Sequence, residues 1–126
     1  MLYKEKTKNI IKAFYTVYNK LGYGFLEKVY ENALLIELRN MGFNCKNQFP
    51  IKVFYKEEQV GKYYADIIVD DEIILELKAM ESLCEEHEYQ LINYLKATEI
   101  ELGLLFNFGK KPEFRRKIFS NNIEHR

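Results

Sequence analysis

Apolar residues recur at helical spacing through the first forty positions. Within residues 4–20, Ile10, Ile11, Phe14, Tyr15, Val17 and Tyr18 fall at the intervals of an amphipathic helix. Leu21-Gly22-Tyr23-Gly24 interrupts the pattern. It resumes over residues 25–41, where Leu26, Val29, Tyr30, Ala33, Leu34 and Leu38 trace a stripe that also takes in Glu37, and Gly42 supplies a stop. Beyond it the spacing changes to the alternation of strands. Pro50 marks the entry to a first strand, Ile51-Lys52-Val53-Phe54-Tyr55, and residues 56–59 read as a turn. Further strands follow over residues 60–69 and 73–79. Their adjoining halves, Ile67-Ile68-Val69 and Ile73-Ile74-Leu75, are apolar on both faces, as in a covered central sheet. Residues 85–98 return to helical spacing. Leu102-Gly103-Leu104-Leu105-Phe106-Asn107-Phe108 is a fourth, buried strand ended by Gly109. The remainder, 110–126, is a polar extension expected to hold a short helix over 112–119 and a frayed end. The order α-α-β-β-β-α-β, a meander followed by a helical crossover, predicts an α/β (α+β) fold with a mixed four-stranded sheet flanked by helices.

Composition narrows the class. A length of 126 residues fits one domain, residues 1–126, with a core at about 10–109. The balance of 48% hydrophobic and 30% charged residues is that of a globular chain. No apolar run reaches the roughly 18 residues of a membrane span, so no membrane partner is expected. The opening Met1-Leu2-Tyr3-Lys4-Glu5-Lys6 runs straight into charged amphipathic sequence without a secretory core. Cys45 and Cys84 lie far apart, which argues for a reducing compartment and against a zinc site. A cytoplasmic location follows as an expectation. Formal net charge is zero, so tight sequence-blind nucleic-acid binding by bulk charge is disfavoured. Lys4, Lys6, Lys8 and Lys12, or Lys110, Lys111, Arg115, Arg116 and Lys117, could form a basic stripe, although charge alone favours solvated surface. Ten Tyr and nine Phe leave apolar surface for a homo-oligomer, unless the core absorbs it.

Three charges interrupt the otherwise apolar strands: Asp66, Glu76 and Lys78. Burying a charge is costly unless it is paired, hydrogen-bonded or bound to a metal. Glu76 and Lys78 are two apart, so they leave one face of the strand, roughly 7 Å apart along it. A three-residue hairpin loop, Asp70 to Glu72, sets Val69 opposite Ile73 and Asp66 opposite Glu76. A two-residue loop would set Asp66 opposite Leu75 and turn it to the other face. Only the first register gathers two carboxylates and an ammonium, a set suited to a hard divalent cation such as Mg²⁺. The competing reading is an ion pair at the sheet rim. On the following helix, His87, Gln90, Leu91 and Tyr94 share a face at i, i+3, i+4 and i+7, presenting an imidazole, an amide and a phenol where a packing face usually carries only Leu or Ile. A satisfied polar cluster is the alternative there. On the second helix, Glu27 and Glu31 stand at i, i+4 with Tyr30 between them. Helix-start chemistry for Glu27 and solvent exposure for Glu31 compete with a third carboxylate reaching the metal. Two histidines are too few for a catalytic triad, no glycine-rich phosphate loop is present, and Cys84 beside His87 lacks further support as a nucleophile.

Gly24-Phe25-Leu26-Glu27-Lys28-Val29-Tyr30 resembles the G-x-x-E-x-x-Y signature of the GxxExxY proteins, a group within the PD-(D/E)XK nuclease superfamily. The resemblance continues through Glu31-Asn32-Ala33-Leu34, Tyr63-x-Ala65-Asp66, Glu76-Leu77-Lys78-Ala79, His87-x-x-Gln90-Leu91-x-Asn93-Tyr94 and Gly103-Leu104-Leu105-x-Asn107-Phe108-Gly109, about residues 10 to 118. It implies a restriction-endonuclease-like α-β-β-β-α-β core with an extra N-terminal helix. It implies Mg²⁺ or Mn²⁺ held by Asp66 and Glu76 with the Leu77 backbone carbonyl, and Glu27 as a first-helix acid. Lys78 matches the lysine that positions the attacking water, and Gln90 and Tyr94 resemble a Q-x-x-x-Y motif. Ala65, not Pro, precedes Asp66, a departure that many members of the superfamily share. The implied activity is Mg²⁺-dependent hydrolysis of phosphodiester bonds, in DNA ahead of RNA. Asp66, Glu76, Lys78, Gln90 and Tyr94 would be catalytic, with His87, Glu31 and Tyr30 placing substrate. The alternative is a catalytically silent nuclease scaffold that binds nucleic acid or protein.

Overall fold

The computed structural model describes residues 1–120. Two helices open the chain, α1 (Lys4–Leu21) and α2 (Glu27–Asn40). Strands β1 (Cys45–Tyr55), β2 (Glu58–Val69) and β3 (Ile73–Lys78) precede helix α3 (Glu85–Lys96), and β4 (Leu102–Phe108) and β5 (Pro112–Ile118) follow it. The five strands form one sheet in the order β1-β2-β3-β4-β5. The β3–β4 pair is parallel and the other pairs are antiparallel. The meander and the helical crossover are therefore as the spacing predicts. No helix among the described residues is long and apolar enough to cross a membrane.

Two cores flank the sheet. Helices α1 and α2 bury Ile10, Phe14, Leu34 and Leu38 against Ile67, Leu75, Leu104 and Phe106. Helix α3 buries Leu91, Tyr94 and Leu95 against Ile51, Ile68, Ile74 and Leu105 on the opposite face. Because β3 and β4 are covered on both sides, their sequences are almost uninterruptedly apolar. Gly103 lets α3 approach closely, since a Cβ there would lie 2.6 Å from the Leu91 side chain.

Three expectations need correction. The polar segment 112–119 is strand β5, not a helix, and the sheet has five strands rather than four. Glu-Phe-Arg-Arg-Lys is helix-tolerant locally, but the apolar β4 would otherwise present a row of unpaired backbone groups at its edge, and pairing with β5 satisfies them. Phe114 then packs on Phe106, with ring centroids 6.2 Å apart. The frayed end expected for the extension falls at residues 121–126, outside the described residues. β1 begins at Cys45 and runs through Pro50, which is tolerable because β1 is an edge strand with one side free of ladder bonds. The β1–β2 turn is two residues, Lys56 and Glu57, both with positive φ (50° and 68°), the geometry that matches the twist of a tight hairpin.

The β2–β3 hairpin has the three-residue loop that gathers the charges: Val69 pairs with Ile73, Ile68 with Ile74 and Ile67 with Leu75. β3 pairs with these three β2 residues alone, whereas β1 follows β2 from Val69 out to Glu58. The outer part of β1 and β2 is thus a two-stranded ribbon running past the end of the sheet.

Candidate active site

Asp66 is the first β2 residue beyond the last β2–β3 pair, and continuing the register sets it opposite Glu76. The ladder does not stop there; side chains take it over. The Leu77 N–H donates to Asp66 Oδ2 at 2.7 Å, and the Asp66 N–H donates to Glu76 Oε1 at 3.1 Å. These two bonds tie β2 to β3 beyond the last ladder pair. The pleat also breaks here. Ala65 packs with the α3-side core and Ile67 with the α1–α2 side, although a regular strand would turn both to one face. Across from the break, Gln48 has a φ of 49° and the β1–β2 pairing skips the Gln48–Asp66 position.

The electrostatics follow from this crowding. Glu76 is 5% exposed, and burial pushes its carboxyl up to about 9 from an ordinary 4.5, with the negative charge of Asp66 adding to the shift. The Asp66 N–H and the Lys78 charge oppose it. Asp66 is raised by burial as well, held back by the Leu77 N–H. Near neutral pH Glu76 therefore retains its proton while no cation is present. Lys78 is half-buried on the Glu76 face, with no carboxylate within ion-pair distance among the described residues.

Glu31 reaches the same region from α2. Solvent exposure is ruled out, since it is 4% exposed. Its carboxylate accepts from Lys28 Nζ at 2.8 Å, Gln48 Nε2 at 2.7 Å and Asn47 Nδ2 at 3.3 Å. Gln48 Nε2 also lies 3.4 Å from Asp66 Oδ1, so one amide bridges Glu31 and Asp66. The Glu31 charge, and more weakly that of Glu27, raises the Asp66 carboxyl. Glu27 itself stays exposed at the start of α2.

Tyr94 lies across the α3-side face. Burial raises its phenol to about 12, with the charges of Glu76 and Asp66 contributing. Gln90 and Tyr94 line one groove, with Tyr63 opposite. His87 is occupied elsewhere: its Nδ1 accepts the Cys84 N–H at 3.1 Å and lies 3.4 Å from Cys84 Sγ, capping α3 at its N-terminus. Tyr30 is fully buried and does not face a substrate. Its ring stacks on Phe108 with centroids 4.2 Å apart, and its hydroxyl donates to the Gly22 carbonyl at 2.7 Å while accepting the Phe25 N–H. Tyr30 thus fastens the loop between α1 and α2.

Two amides escaped the sequence reading. Gln48 sits in an exposed alternating strand, where nothing marks it as a bridge. Asn107 left a trace, as a lone polar residue in a buried strand. It pairs with Lys78 in the ladder, its Oδ1 accepts the Met80 N–H at 3.0 Å, and its Nδ2 donates to the Met80 carbonyl at 2.9 Å. It therefore anchors the chain directly after Lys78.

Among the described residues, no three His, Cys, Asp or Glu side chains converge as a closed metal cage. What converges is a pair of carboxylates. Mg²⁺ keeps several waters and is commonly held by one or two carboxylates plus substrate phosphate, so an oxygen-only pair suits it. The raised Glu76 fits the same picture, because a cation supplies the positive charge that the pair lacks.

A family model described as the PD-(D/E)XK nuclease superfamily matches residues 4–117, and the chain belongs to that superfamily. A solved structure described as the crystal structure of SSO0001 superposes with a TM-score of 0.61 at 18% identity, covering 77% of this chain and 52% of that one. The fold is accordingly restriction-endonuclease-like, and this chain spans about half the length of that relative. No curated protein matches.

Proposed function

We propose that the protein is a Mg²⁺- or Mn²⁺-dependent nuclease that hydrolyses phosphodiester bonds, in DNA ahead of RNA, and that within its superfamily it groups with the GxxExxY proteins. The observation that carries this reading is the interlocked pair of Asp66 and Glu76 with the Lys78 ammonium on the same face. In this reading residues 1–126 act as one nuclease-like domain in a reducing, cytoplasmic setting, consistent with free Cys45 and Cys84.

Asp66 and Glu76 would hold the cation, with the Leu77 carbonyl and Glu27 as further oxygen donors. When bound, the cation supplies Lewis acidity at a phosphoryl oxygen and acidifies water. Lys78 donates hydrogen bonds from its ammonium, orienting the attacking water and steadying negative charge that develops on phosphate. Tyr94, with its raised phenol, keeps its proton at working pH and donates to a phosphate oxygen, and Gln90 supplies an amide N–H beside it. Glu31, through Gln48, fixes the direction of Asp66. His87 contributes to placement by setting the N-terminus of α3. Exposed Phe25, Leu26, Val29 and Ile36 on and before α2 support the homo-oligomer.

The test is cleavage of single-stranded, duplex and branched DNA in Mg²⁺ by wild type and by Asp66→Asn. The variant should lose activity by a factor of about 100 or more. Equal activity in both proteins, or none on any substrate, counts against the reading. The alternative is a catalytically silent nuclease scaffold that binds nucleic acid or protein. Calorimetric titration with Mg²⁺ and Mn²⁺ separates the two readings, since a working site binds the ion and a relic does not.

A further inference from the structure

The ribbon formed by the outer parts of β1 and β2 leans toward α3, and the groove between them holds about 740 Å³. Its lining is aromatic. Phe54, Tyr63 and Tyr89 border it while staying 60%, 48% and 59% exposed. At its floor Tyr94 meets Tyr63 with ring centroids 5.7 Å apart. Lys52 and Lys96 line it against a single acid, Glu86, and Gln90 and Asn93 add amides. Tyr94, which lines the groove, also lies within electrostatic reach of Glu76 and Asp66, which sets this part of the groove near the carboxylate pair.

We propose that this groove seats a single-stranded nucleic acid, its bases stacked on Phe54, Tyr63 and Tyr89 and its backbone running toward the Asp66–Glu76 pair. The ligand class rests on the nuclease reading; the strandedness rests on the groove. In a duplex the base faces are already stacked on one another, so exposed rings along a groove find nothing to grip. Unpaired bases offer those faces, and every base has one, which makes such a platform tolerant of sequence. Lysines beside the rings complement the phosphates, and the amides can meet base edges. A peptide would gain from the rings but has no use for lysines beside a phosphate-cutting pair.

The test is fluorescence anisotropy in EDTA, so that binding is read without cleavage. The probes are a labelled oligodeoxythymidine of about twelve nucleotides, within the span usual for such grooves, and a duplex of equal length. Single strand should bind about tenfold tighter than duplex. Phe54→Ala and Tyr89→Ala, both at exposed positions, should each weaken it by roughly fivefold to a hundredfold, the loss of one stacked base. Tyr64→Ala, at an exposed position outside the groove lining, should leave it unchanged. Duplex binding as tightly as single strand overturns the proposal. So does unaltered affinity in both groove variants, or a groove variant that changes sedimentation of the free protein instead of affinity. Asp66→Asn should still bind. Wild type that binds single strand yet cuts nothing in Mg²⁺ keeps the groove and removes the nuclease; cutting that ignores Phe54→Ala and Tyr89→Ala keeps the nuclease and removes the groove.

Discussion

Burial and the neighbouring Asp66 charge raise the Glu76 carboxyl, and the sign of that shift can be read out in stability. In the folded state its carboxyl is raised to about 9, whereas unfolded it returns to the ordinary 4.5. Between those values the folded chain binds more protons than the unfolded one, so stability falls as pH rises across that window. In EDTA, the wild-type Tm should drop steadily from pH 5 to pH 9, and Glu76→Gln should flatten the curve. Mg²⁺ should raise the wild-type Tm more at pH 8 than at pH 5, because the cation and the proton compete for the same oxygens. A wild-type Tm independent of pH in EDTA would show that the pair is not pressed together in solution. Gln48 offers a second measurement. Removing its bridge in Gln48→Ala should cost about 1–3 kcal/mol by urea unfolding, as for a hydrogen bond to a charged group. Gln48→Glu should cost more than Gln48→Ala at pH 8, since it sets a third carboxylate between Glu31 and Asp66, and the gap should narrow as the pH is lowered toward 5.

At the scale of elements, the sequence is most legible where one face or both faces are buried. The α1 stripe, the β2–β3 hairpin register and β4 all follow from apolar spacing, because hydrophobic burial dominates local choice there, whereas the α2 stripe holds at Tyr30, Leu34 and Leu38 but leaves Leu26 and Val29 exposed. The position of Asp66 opposite Glu76 was legible for the same reason, since a one-residue slip would have turned Ile67 and Val69 away from their core. Legibility fails where tertiary partners decide. β5 is a strand because β4 has an edge to fill, and Pro50 lies within β1 because that edge is free; neither fact is local. Tyr30 looked like a site residue from its place beside Glu27 and Glu31, yet a residue one position away on a helix is turned by about 100°, which sends it into the core. Asn107 shows the same dependence on partners and yields a prediction. Asn107→Ala leaves the Met80 N–H and carbonyl without their partners, at a cost of about 1–3 kcal/mol. Hydrogen exchange at Met80 should quicken in this variant while exchange in β4 keeps its order relative to β3. Cleavage should fall as well, because the residues after Lys78 lose their anchor. A variant with wild-type exchange at Met80 would remove Asn107 from any role in holding Lys78.

At the scale of the whole molecule, the zero net charge gains a structural explanation that bears on how substrate is held. The candidate basic stripes are partly spent within the fold. Lys6 is paired with Asp70 and Glu72, Arg115 with Glu113, and Lys117 with Glu88. Among the described residues these ion pairs occupy three of the nine candidate cations, so neither cluster is wholly available to phosphates. On the groove reading, affinity for nucleic acid comes from a few phosphate contacts plus stacking, and these two sources answer differently to salt. Each phosphate neutralised on a single strand contributes about −0.7 to the slope of log K against log salt, while stacking contributes little. With two or three lysines near the groove and the carboxylate pair, Lys52, Lys78 and Lys96, the slope should lie between about −1.4 and −2.1. Binding of labelled single strand in EDTA across about 50 to 200 mM salt measures it. A slope steeper than about −4 would mean that about six or more cations engage the backbone. Cations beyond the groove, such as those of α1 and β5, would then take part, and the molecule would grip its substrate by charge rather than by its aromatic groove.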